Sequence, residues 1–411
     1  MNRKDIAYCR NCLIVATINL NINKVNTEMN QIQLINSDSK PHYALLDGLR
    51  GVAALLVVWY HIFEGYQFAG GKPIIDFANH GYLAVDFFFI LSGFVVGYAY
   101  DSRWGKTLTL GGFFKRRIIR LHPMVIMGAV IGAVSFALSG FARWDGSQSS
   151  TSMVMLALLC AMFMIPAVPG QMREVRGNGE MFPLNGPCWS LFFEYIGNIL
   201  YALIIRRFST PVLAVFTVLL GCALAWFAVG DVSQYGCIGV GWTIDQVNVL
   251  GGLLRLLFPF SMGMLLSRLF KKGREVRGVF WLSTLVLVAL FHVPYIAGSG
   301  ALCLNGVFEI VCIAVLFPAI VWYAASGSTT DRFSTKACDF LGNLSYPLYM
   351  VHYPVMYLFY KWLIDTRQYS FGETWQVALT VYAASLLLAW VCMKFFDIPV
   401  RCWLTKISNK K

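Results

Sequence analysis

Charged residues are scarce in this sequence. Only 13% of its 411 residues are Asp, Glu, Lys or Arg, whereas soluble domains carry roughly 25%. Hydrophobic residues make up 57% of the chain and aromatic residues 15%. This balance excludes a soluble globular fold and leaves an integral membrane protein as the class that fits.

Internal repeats and domain linkers are also lacking. No segment recurs with a period of about 20 to 50 residues, and no Pro- or Ser-rich stretch is long enough to separate two domains. We therefore expect one membrane domain at residues 41–405, after a polar, disordered extension at residues 1–40 and before a basic cytoplasmic tail at residues 406–411. Met29 is an alternative start that the sequence leaves open.

The eleven cysteines form no disulfide or zinc pattern. Most of them, such as Cys160 and Cys222, lie in apolar runs, where cysteine behaves as a small hydrophobic residue. Cys9 and Cys12 form a C-x-x-C, but no second pair follows at a zinc spacing. We expect neither a metal site nor a permanently bound cofactor.

Eleven apolar runs approach the roughly 20 residues that cross a hydrocarbon core. They cover residues 46–66, 82–100, 118–141, 153–168, 188–205, 211–229, 250–270, 279–296, 302–325, 341–364 and 375–396. The net charge of +12 is concentrated in short clusters between these runs. The positive-inside rule accounts for such clusters, so we do not expect nucleic acid as a partner.

The positions of the basic clusters test how many runs cross. The clusters share one side of the membrane only if one run between residues 141 and 187 does not cross. The shortest run, at residues 153–168, is therefore predicted to be a re-entrant or surface helix. The predicted fold is all-α and polytopic, with about ten transmembrane helices and both termini cytoplasmic.

Ionisable residues inside these runs are the candidate functional residues, because charge at membrane depth usually faces a bundle interior or a wet cavity. Arg50 and His61 are eleven positions apart. That spacing puts them on one helical face, about 16 Å apart along the axis. An arginine that snorkels to headgroups and a histidine at the outer interface explain the pair equally well.

Arg117 and Arg120 lie at the start of the third run and on one helical face, because they are three positions apart. Guanidinium groups match the geometry of phosphate, so this pair is a candidate phosphate site. A positive-inside anchor explains residues 115–117 just as well.

Two carboxyl groups also lie inside runs. Glu194, about two turns into the fifth run, can act as an acid or base or can hold a buried cation. Asp86, near the outer end of the second run, is a candidate partner of His61 or of a substrate. A purely structural role for Glu194 remains an equal alternative.

A polar stripe runs along the tenth run. Ser345, Tyr349 and His352 are spaced at i, i+4 and i+7, which places them close to one helical face. The sequence assigns no role to five nearby polar residues, Glu64, His80, Tyr353, Tyr357 and Tyr360.

Six motifs in a fixed order resemble the acyltransferase 3 family of membrane O-acyltransferases. They are the segment 46–51 with His61, the segment 87–94, Arg117-x-x-Arg120, the segment 189–191 with Glu194, the segment 341–352, and Asp397-x-Pro399-x-Arg401. The likeness covers residues 46–403. It departs from the family at Asp397, where Glu is more common.

The resemblance implies a ten-helix domain in the plasma (inner) membrane. It implies transfer of an acyl group, most often acetyl, from cytoplasmic acyl-CoA to a hydroxyl of a cell-surface or exported glycan or its lipid-linked precursor. Acyl-CoA is then a co-substrate, and membrane lipid and glycan-export or glycosyltransferase proteins are candidate partners. Many members carry a further hydrolase-like domain, whose role we expect to be absent here or supplied by another protein.

The resemblance also implies residue roles. Arg50, Arg117 and Arg120 are expected to bind the phosphates of acyl-CoA. His61 is expected to be the general base for the acceptor hydroxyl or a transient acyl carrier, with Glu194 or Asp86 orienting its imidazole. The substrate path is expected to be lined by Ser345, Tyr346, Tyr349 and His352.

Three other functions compete with this one. A secondary transporter also uses intramembrane charges, although its usual internal repeats and paired broken helices are not evident. A membrane-bound O-acyltransferase of the class built on one Asn or Asp and a distant His fits less well, because its motifs are missing. A scaffold in a glycan-export assembly also stays open.

Overall fold

The computed structural model describes residues 43–70, 80–271, 276–296, 302–329 and 331–409. The expected N-terminal extension, the alternative start at Met29 and the C-x-x-C of Cys9 and Cys12 lie outside the described residues. The described residues form two compact units, residues 43–390 and residues 391–409.

All regular secondary structure in the described ranges is helical. The helices are α1 (Ala44–Phe68), α2 (Ala84–Tyr100), α3 (Leu110–Leu138), α4 (Thr151–Met162), α5 (Cys188–Leu203), α6 (Thr210–Val229), α7 (Gln246–Leu269), α8 (Val279–Phe291), α9 (Leu304–Val311), α10 (Phe317–Ser326), α11 (Arg332–Thr366), α12 (Phe371–Cys392) and α13 (Ile398–Asn409). A π-helical turn at Cys312–Leu316 joins α9 to α10, and another at Met393–Asp397 joins α12 to α13.

Eight helical stretches of the described chain are long and apolar enough to cross a membrane. The prediction of an all-α polytopic membrane protein is confirmed. Two further predicted crossings are α8, with only 13 residues, and α11, which has 35 residues but more polar side chains. The count of ten crossings, the surface placement of the 12-residue α4 and the cytoplasmic termini stay predictions.

Close helix packing explains two of the glycine-containing motifs. A Cβ at Gly51 of α1 would collide with the Leu341 carbonyl of α11. A Cβ at Gly93 of α2 would collide with the Phe260 carbonyl of α7, and one at Gly263 of α7 with the carbonyl of Ile90. Small residues let transmembrane helices approach this closely, so α1 lies against α11 and α2 against α7.

Helix α11 contains Pro347 and Pro354. Because proline has no N–H, Pro354 leaves the carbonyl of Met350 without its helical donor. The side-chain amide of Asn185 donates to that carbonyl at 2.8 Å. Ser135 Oγ of α3 donates to the carbonyl of Pro354 at 2.6 Å. These bonds fix the middle of α11, which carries the polar stripe, against its neighbours.

The second unit holds the closing motif of the sequence. Arg401 Nη2 of α13 pairs with Asp397 Oδ2 at 2.7 Å, one helical turn away. Asp397 therefore neutralises Arg401 across that turn, as the Asp-x-Pro-x-Arg spacing allows.

Candidate active site

A narrow cavity of about 100 Å³ lies among α1, α2, α3, α5 and α11. Its wall is largely apolar but carries three guanidinium groups, one carboxylate and several hydroxyl groups. The polar lining consists of Arg50, Ser92, Arg117, Arg120, Ser190, Glu194, Ser345, Tyr346 and Tyr349. Two separate motifs of the sequence thus place the three predicted phosphate-binding arginines in one cavity.

Positive charge is in surplus around this cavity. Arg50 forms an ion pair with Asp47, and Arg117 Nη2 pairs with Glu194 Oε1 at 2.6 Å. Arg120 is exposed and has no carboxylate partner among the described residues. Three cations therefore face two carboxylates, and the arrangement favours an anionic ligand.

Arg117 offers a further unused donor. Its side chain is buried, and its Nε has no hydrogen-bond acceptor in the described part of the chain. Leaving a buried donor unpaired is costly. Arg117 and Arg120 both line the cavity, so this N–H is a candidate donor to an anion there.

Glu194 holds a cation, which is one of the two uses that the sequence predicted for it. Besides its pair with Arg117, it accepts a hydrogen bond from Ser92 Oγ at 2.9 Å. Its contacts are therefore with the arginine cavity. The carboxylate beside His61 is a different one, so the structure does not support the expectation that Glu194 orients that imidazole.

The predicted stripe on α11 forms one wall of the cavity. Tyr346 donates its hydroxyl to the carbonyl of Leu121 at 2.6 Å. Tyr349 and Ser190 share a hydrogen bond of 2.6 Å between their hydroxyl groups. These bonds tie α11 to α3 and α5 and leave the tyrosine rings along the cavity.

His61 lies next to this wall rather than in it. The ring of Tyr349 is 5.9 Å from that of His352, which stacks on His61 at a centroid distance of 5.3 Å. His61 Nδ1 is 2.6 Å from Glu64 Oε2, and the ring of Tyr353 packs edge-on against the imidazole at 4.8 Å. The packed rings of Tyr349 and His352 therefore link the cavity wall to His61, although neither histidine lines the cavity.

His352 presents an unused acceptor along this line. Its Nδ1 is 2.9 Å from the carbonyl of Leu348, so the proton must reside on Nδ1 for the pair to form a hydrogen bond. Its Nε2 then carries the lone pair. That atom is fully buried and has no partner within the described residues.

Asp86 requires a correction. Its carboxylate binds Arg255 of α7 through two contacts, Oδ2 to Nη2 at 2.6 Å and Oδ1 to Nε at 3.1 Å. Both side chains are fully buried. The expected pairing of Asp86 with His61 is wrong, because the close approach of α2 and α7 gives Asp86 a guanidinium partner instead.

The structure adds residues that sequence reasoning missed. Glu64 belongs to α1 and adjoins His61, and Tyr353 and Tyr360 of α11 contact its carboxylate. The three-residue spacing of His61 and Glu64 is a sequence signal for such a pair on a helix. Arg255 had a comparable signal, since it is a charge inside the seventh apolar run.

The connection between α4 and α5 folds over the far end of α11. Arg176 is buried there, with its guanidinium 3.6 Å from the ring of Tyr357. Glu180 is hydrogen bonded by the Tyr357 hydroxyl. Burial raises the pKa of Glu180 to about 7, so this carboxyl is partly protonated near neutral pH.

Comparison with known proteins identifies the family. The model of the acyltransferase 3 family, described as an acyltransferase domain, matches residues 43–394. The chain belongs to the acyltransferase 3 family. The resemblance carried by the six sequence motifs is thereby confirmed, and with it the class of enzyme, an acyltransferase.

Relatives with names extend this comparison. The chain is 24% identical to O-acetyltransferase OatA of Staphylococcus aureus over 369 residues, which are 87% of this chain and 57% of that protein. It is 22% identical to Peptidoglycan O-acetyltransferase OatA of Listeria monocytogenes over 398 residues, 88% of this chain and 56% of the relative. The chain thus spans just over half the length of these two relatives.

A shorter relative is more similar in sequence. "Protein 2 in picA locus" of Rhizobium radiobacter is 36% identical over 174 residues, which are 40% of this chain and 84% of that protein. No solved structure matches the chain.

Proposed function

We propose that this acyltransferase moves an acetyl group from cytoplasmic acetyl-CoA to a hydroxyl of a cell-envelope or exported glycan, or of its lipid-linked precursor. The observation that carries the proposal is the surplus of guanidinium groups around a cavity whose wall is linked to His61 by the packed rings of Tyr349 and His352. The cavity has the charge for a polyphosphate donor, and the imidazole has the chemistry for acyl transfer.

The three arginines bind the phosphates of the donor. Arg120 is exposed and free of carboxylates among the described residues, so it makes the first contact. Arg117 is held by Glu194 and supplies its unused Nε, and Arg50 completes the cluster. Charge-assisted bonds from guanidinium forks to phosphate are among the strongest hydrogen bonds in proteins.

The exposed end of the cavity sets the direction proposed for the donor, because Arg120 is exposed there whereas Arg117 is buried. We therefore place the phosphates at the mouth beside Arg120, with the pantetheine arm directed inward past Ser345 and Tyr349. The thioester then approaches His352 and His61 at the end of the arm.

His61 performs the transfer in one of two ways. As a general base it removes the proton of the acceptor hydroxyl while the oxygen attacks the thioester carbonyl. As a nucleophile it takes the acetyl group from the thioester and passes it to the acceptor in a second step. Both routes need an unprotonated ring nitrogen that faces the substrates.

The acceptor class follows from the relatives. Two of them are named as O-acetyltransferases, and one of these as acting on peptidoglycan. The activity in their names supports a cell-envelope polysaccharide hydroxyl as the acceptor. Proteins that export or assemble such a glycan are the partners that this function requires.

Donor binding tests the proposal. The purified protein in nanodiscs is titrated with acetyl-CoA, beside the variants Arg117→Ala and Arg120→Ala. We expect binding to the parent and a loss of affinity in both variants. Arg116→Ala is the matched control, since Arg116 is exposed in the same basic segment but does not line the cavity.

Two results would overturn the donor assignment. One is a parent that binds no acyl-CoA, and the other is an Arg116→Ala variant that loses as much affinity as Arg117→Ala. The first result, combined with solute flux in liposomes without acyl-CoA, would favour a secondary transporter.

A further inference from the structure

The carboxylate of Glu64 lies one helical turn beyond His61 and faces its imidazole. Glu64 Oε2 is 2.6 Å from His61 Nδ1. The hydroxyl groups of Tyr353 and Tyr360 lie 3.3 Å and 3.2 Å from the same oxygen. Three donors from two helices therefore converge on one carboxylate oxygen.

Tyr360 also fixes the backbone of the histidine. Its hydroxyl is 2.7 Å from the carbonyl of His61, so the same phenol spans the carbonyl and the carboxylate of Glu64. A side chain on Gly65 would overlap the ring of Tyr360. The glycine thus lets α11 bring this tyrosine against α1 at the level of His61.

This geometry determines which ring nitrogen of His61 is reactive. A carboxylate only accepts hydrogen bonds, so the Nδ1 beside it carries the proton. The lone pair then resides on Nε2. Stacking on His352 and the edge-on contact with Tyr353 hold the ring in this orientation.

The side chains around His61 leave Glu64 as the group that fixes the tautomer of its imidazole. The rings that face His61 belong to Tyr60 of its own helix and to His352 and Tyr353 of α11. Within the described residues, no other carboxylate lies within ion-pair distance of the imidazole. Sequence reasoning had offered Glu194 and Asp86, which are engaged by Arg117 and Arg255.

We infer that Glu64 is the positioning residue of the transfer reaction: it holds His61 in the tautomer whose Nε2 is free, and it stabilises the cation formed when Nε2 reacts. The inference rests on the proposed function and names the device that makes its imidazole competent. Glu64 acts through His61 and remains a carboxylate throughout, as the acid of a Ser-His-Asp triad does.

In the general-base route, Nε2 of His61 carries a proton from the acceptor hydroxyl to the thiolate of the donor. Nε2 takes the proton of the acceptor hydroxyl while the hydroxyl oxygen forms a bond to the thioester carbonyl carbon. The carbon–sulfur bond breaks, and the proton passes from Nε2 to the thiolate of CoA. The products are an acetyl ester and the free thiol, and Glu64 compensates the imidazolium charge between the two proton transfers.

Glu64→Gln tests the inference. Removing the charge and permitting the wrong tautomer should lower kcat by roughly 10²- to 10⁴-fold, while KM for acetyl-CoA stays at the parental value. The acidic limb of the kcat–pH profile should move to lower pH, and Glu64→Asp should recover part of kcat. Asp365→Asn is the matched control, because it removes an exposed carboxylate that pairs with Lys361 one helical turn away.

The tyrosine hydroxyls give an independent variant. Tyr360→Phe removes a donor from Glu64 and should lower kcat by roughly 3- to 30-fold at constant KM, since one hydrogen bond is lost. Tyr382→Phe is its control, because that hydroxyl contacts the Leu55 carbonyl of α1 at 3.4 Å, away from His61. Should Glu64→Gln fail to fold, Glu64→Asp and Tyr360→Phe decide the question alone.

Failure of the inference can be told from failure of the function. Parental kcat in Glu64→Gln, with His61→Ala inactive, would overturn the role of Glu64 and leave the transfer reaction intact. If Glu64→Gln and Tyr360→Phe each lower the melting temperature, and kcat falls in proportion to that loss, the contact is merely structural. Parental turnover in His61→Ala would remove the proposed site itself.

Discussion

The arginine cavity and the Asp86–Arg255 pair both place guanidinium groups inside the helix bundle, but their charge balances differ. Arg255 is bound by two oxygens of Asp86 and by the carbonyl of Val240, and both charged side chains are fully buried. Three arginines line the cavity: Arg50 and Arg117 each pair with a carboxylate, and the exposed Arg120 pairs with none among the described residues. Charge inside a membrane domain is therefore insufficient to mark a site; the unneutralised part of that charge marks it.

The largest expected effect concerns the buried Asp86–Arg255 pair. Asp86→Ala leaves Arg255 buried without its counter-ion, which costs roughly 3–5 kcal/mol, so we expect little folded protein by size-exclusion chromatography. The double variant Asp86→Leu with Arg255→Met should restore folding and turnover, because it removes both charges. A folded Asp86→Ala protein without turnover would return Asp86 to the chemistry.

A second effect concerns Glu180, a buried carboxyl whose raised pKa favours the neutral form. Burial raises the pKa of Glu180 from 4.5 to about 7, so the folded state holds the proton more tightly than the unfolded state. The difference corresponds to about 3 kcal/mol of stability. It is fully present below pH 4.5 and is lost as the pH rises to about 7.

Thermal melting across this pH window tests the effect. The parent should lose stability between pH 4.5 and pH 7 relative to Glu180→Gln, whose side chain does not titrate. Parallel melting curves for the two proteins would show that Glu180 is charged in the folded state.

A third effect concerns Arg120 in the arginine cavity. Arg120→Ala should weaken acetyl-CoA binding by roughly 10- to 100-fold, as the loss of a charged hydrogen bond predicts. Arg120→Lys should weaken it by only about threefold, because the charge remains and the paired N–H geometry is lost. Isothermal titration measures both affinities, and unchanged melting temperatures are expected. Equal affinities for all three proteins would exclude Arg120 from the donor site.

The smallest effect compares the arginine cavity directly with the Asp86–Arg255 pair. Raising the ionic strength from about 0.05 to 0.5 M should weaken acetyl-CoA binding by roughly three- to tenfold, since exposed charges are screened. The melting temperature should change little, because the Asp86–Arg255 pair is sealed from solvent. A salt-dependent melting temperature with salt-independent binding would contradict this account, in which the arginine cavity is accessible to solvent and the Asp86–Arg255 pair is sealed from it.

Much of the site was predictable because helical spacing is local. Arg117 and Arg120 share a face of α3, and Ser345 and Tyr349 share a face of α11. Both pairs line the cavity, whereas His352 lies beyond its wall. Pairings between helices were not predictable in this way. Asp86 and Arg255 are 169 positions apart, and no local pattern relates them.

Glu64 is the other omission. The first predicted run, residues 46–66, already contains Glu64, but the sequence assigned it no role. In the structure its carboxylate contacts His61 of its own helix and Tyr353 and Tyr360 of α11. The contacts with α11 join two helices, and no local pattern shows them.

Single-turnover kinetics in nanodiscs test the central claim most directly. Labelled acetyl-CoA is mixed with the parent and with His61→Ala in the presence of a soluble glycan acceptor, and free CoA and acetylated glycan are measured by mass spectrometry. The account predicts that His61→Ala binds the donor with parental affinity and forms neither product. Parental product formation by His61→Ala would contradict it.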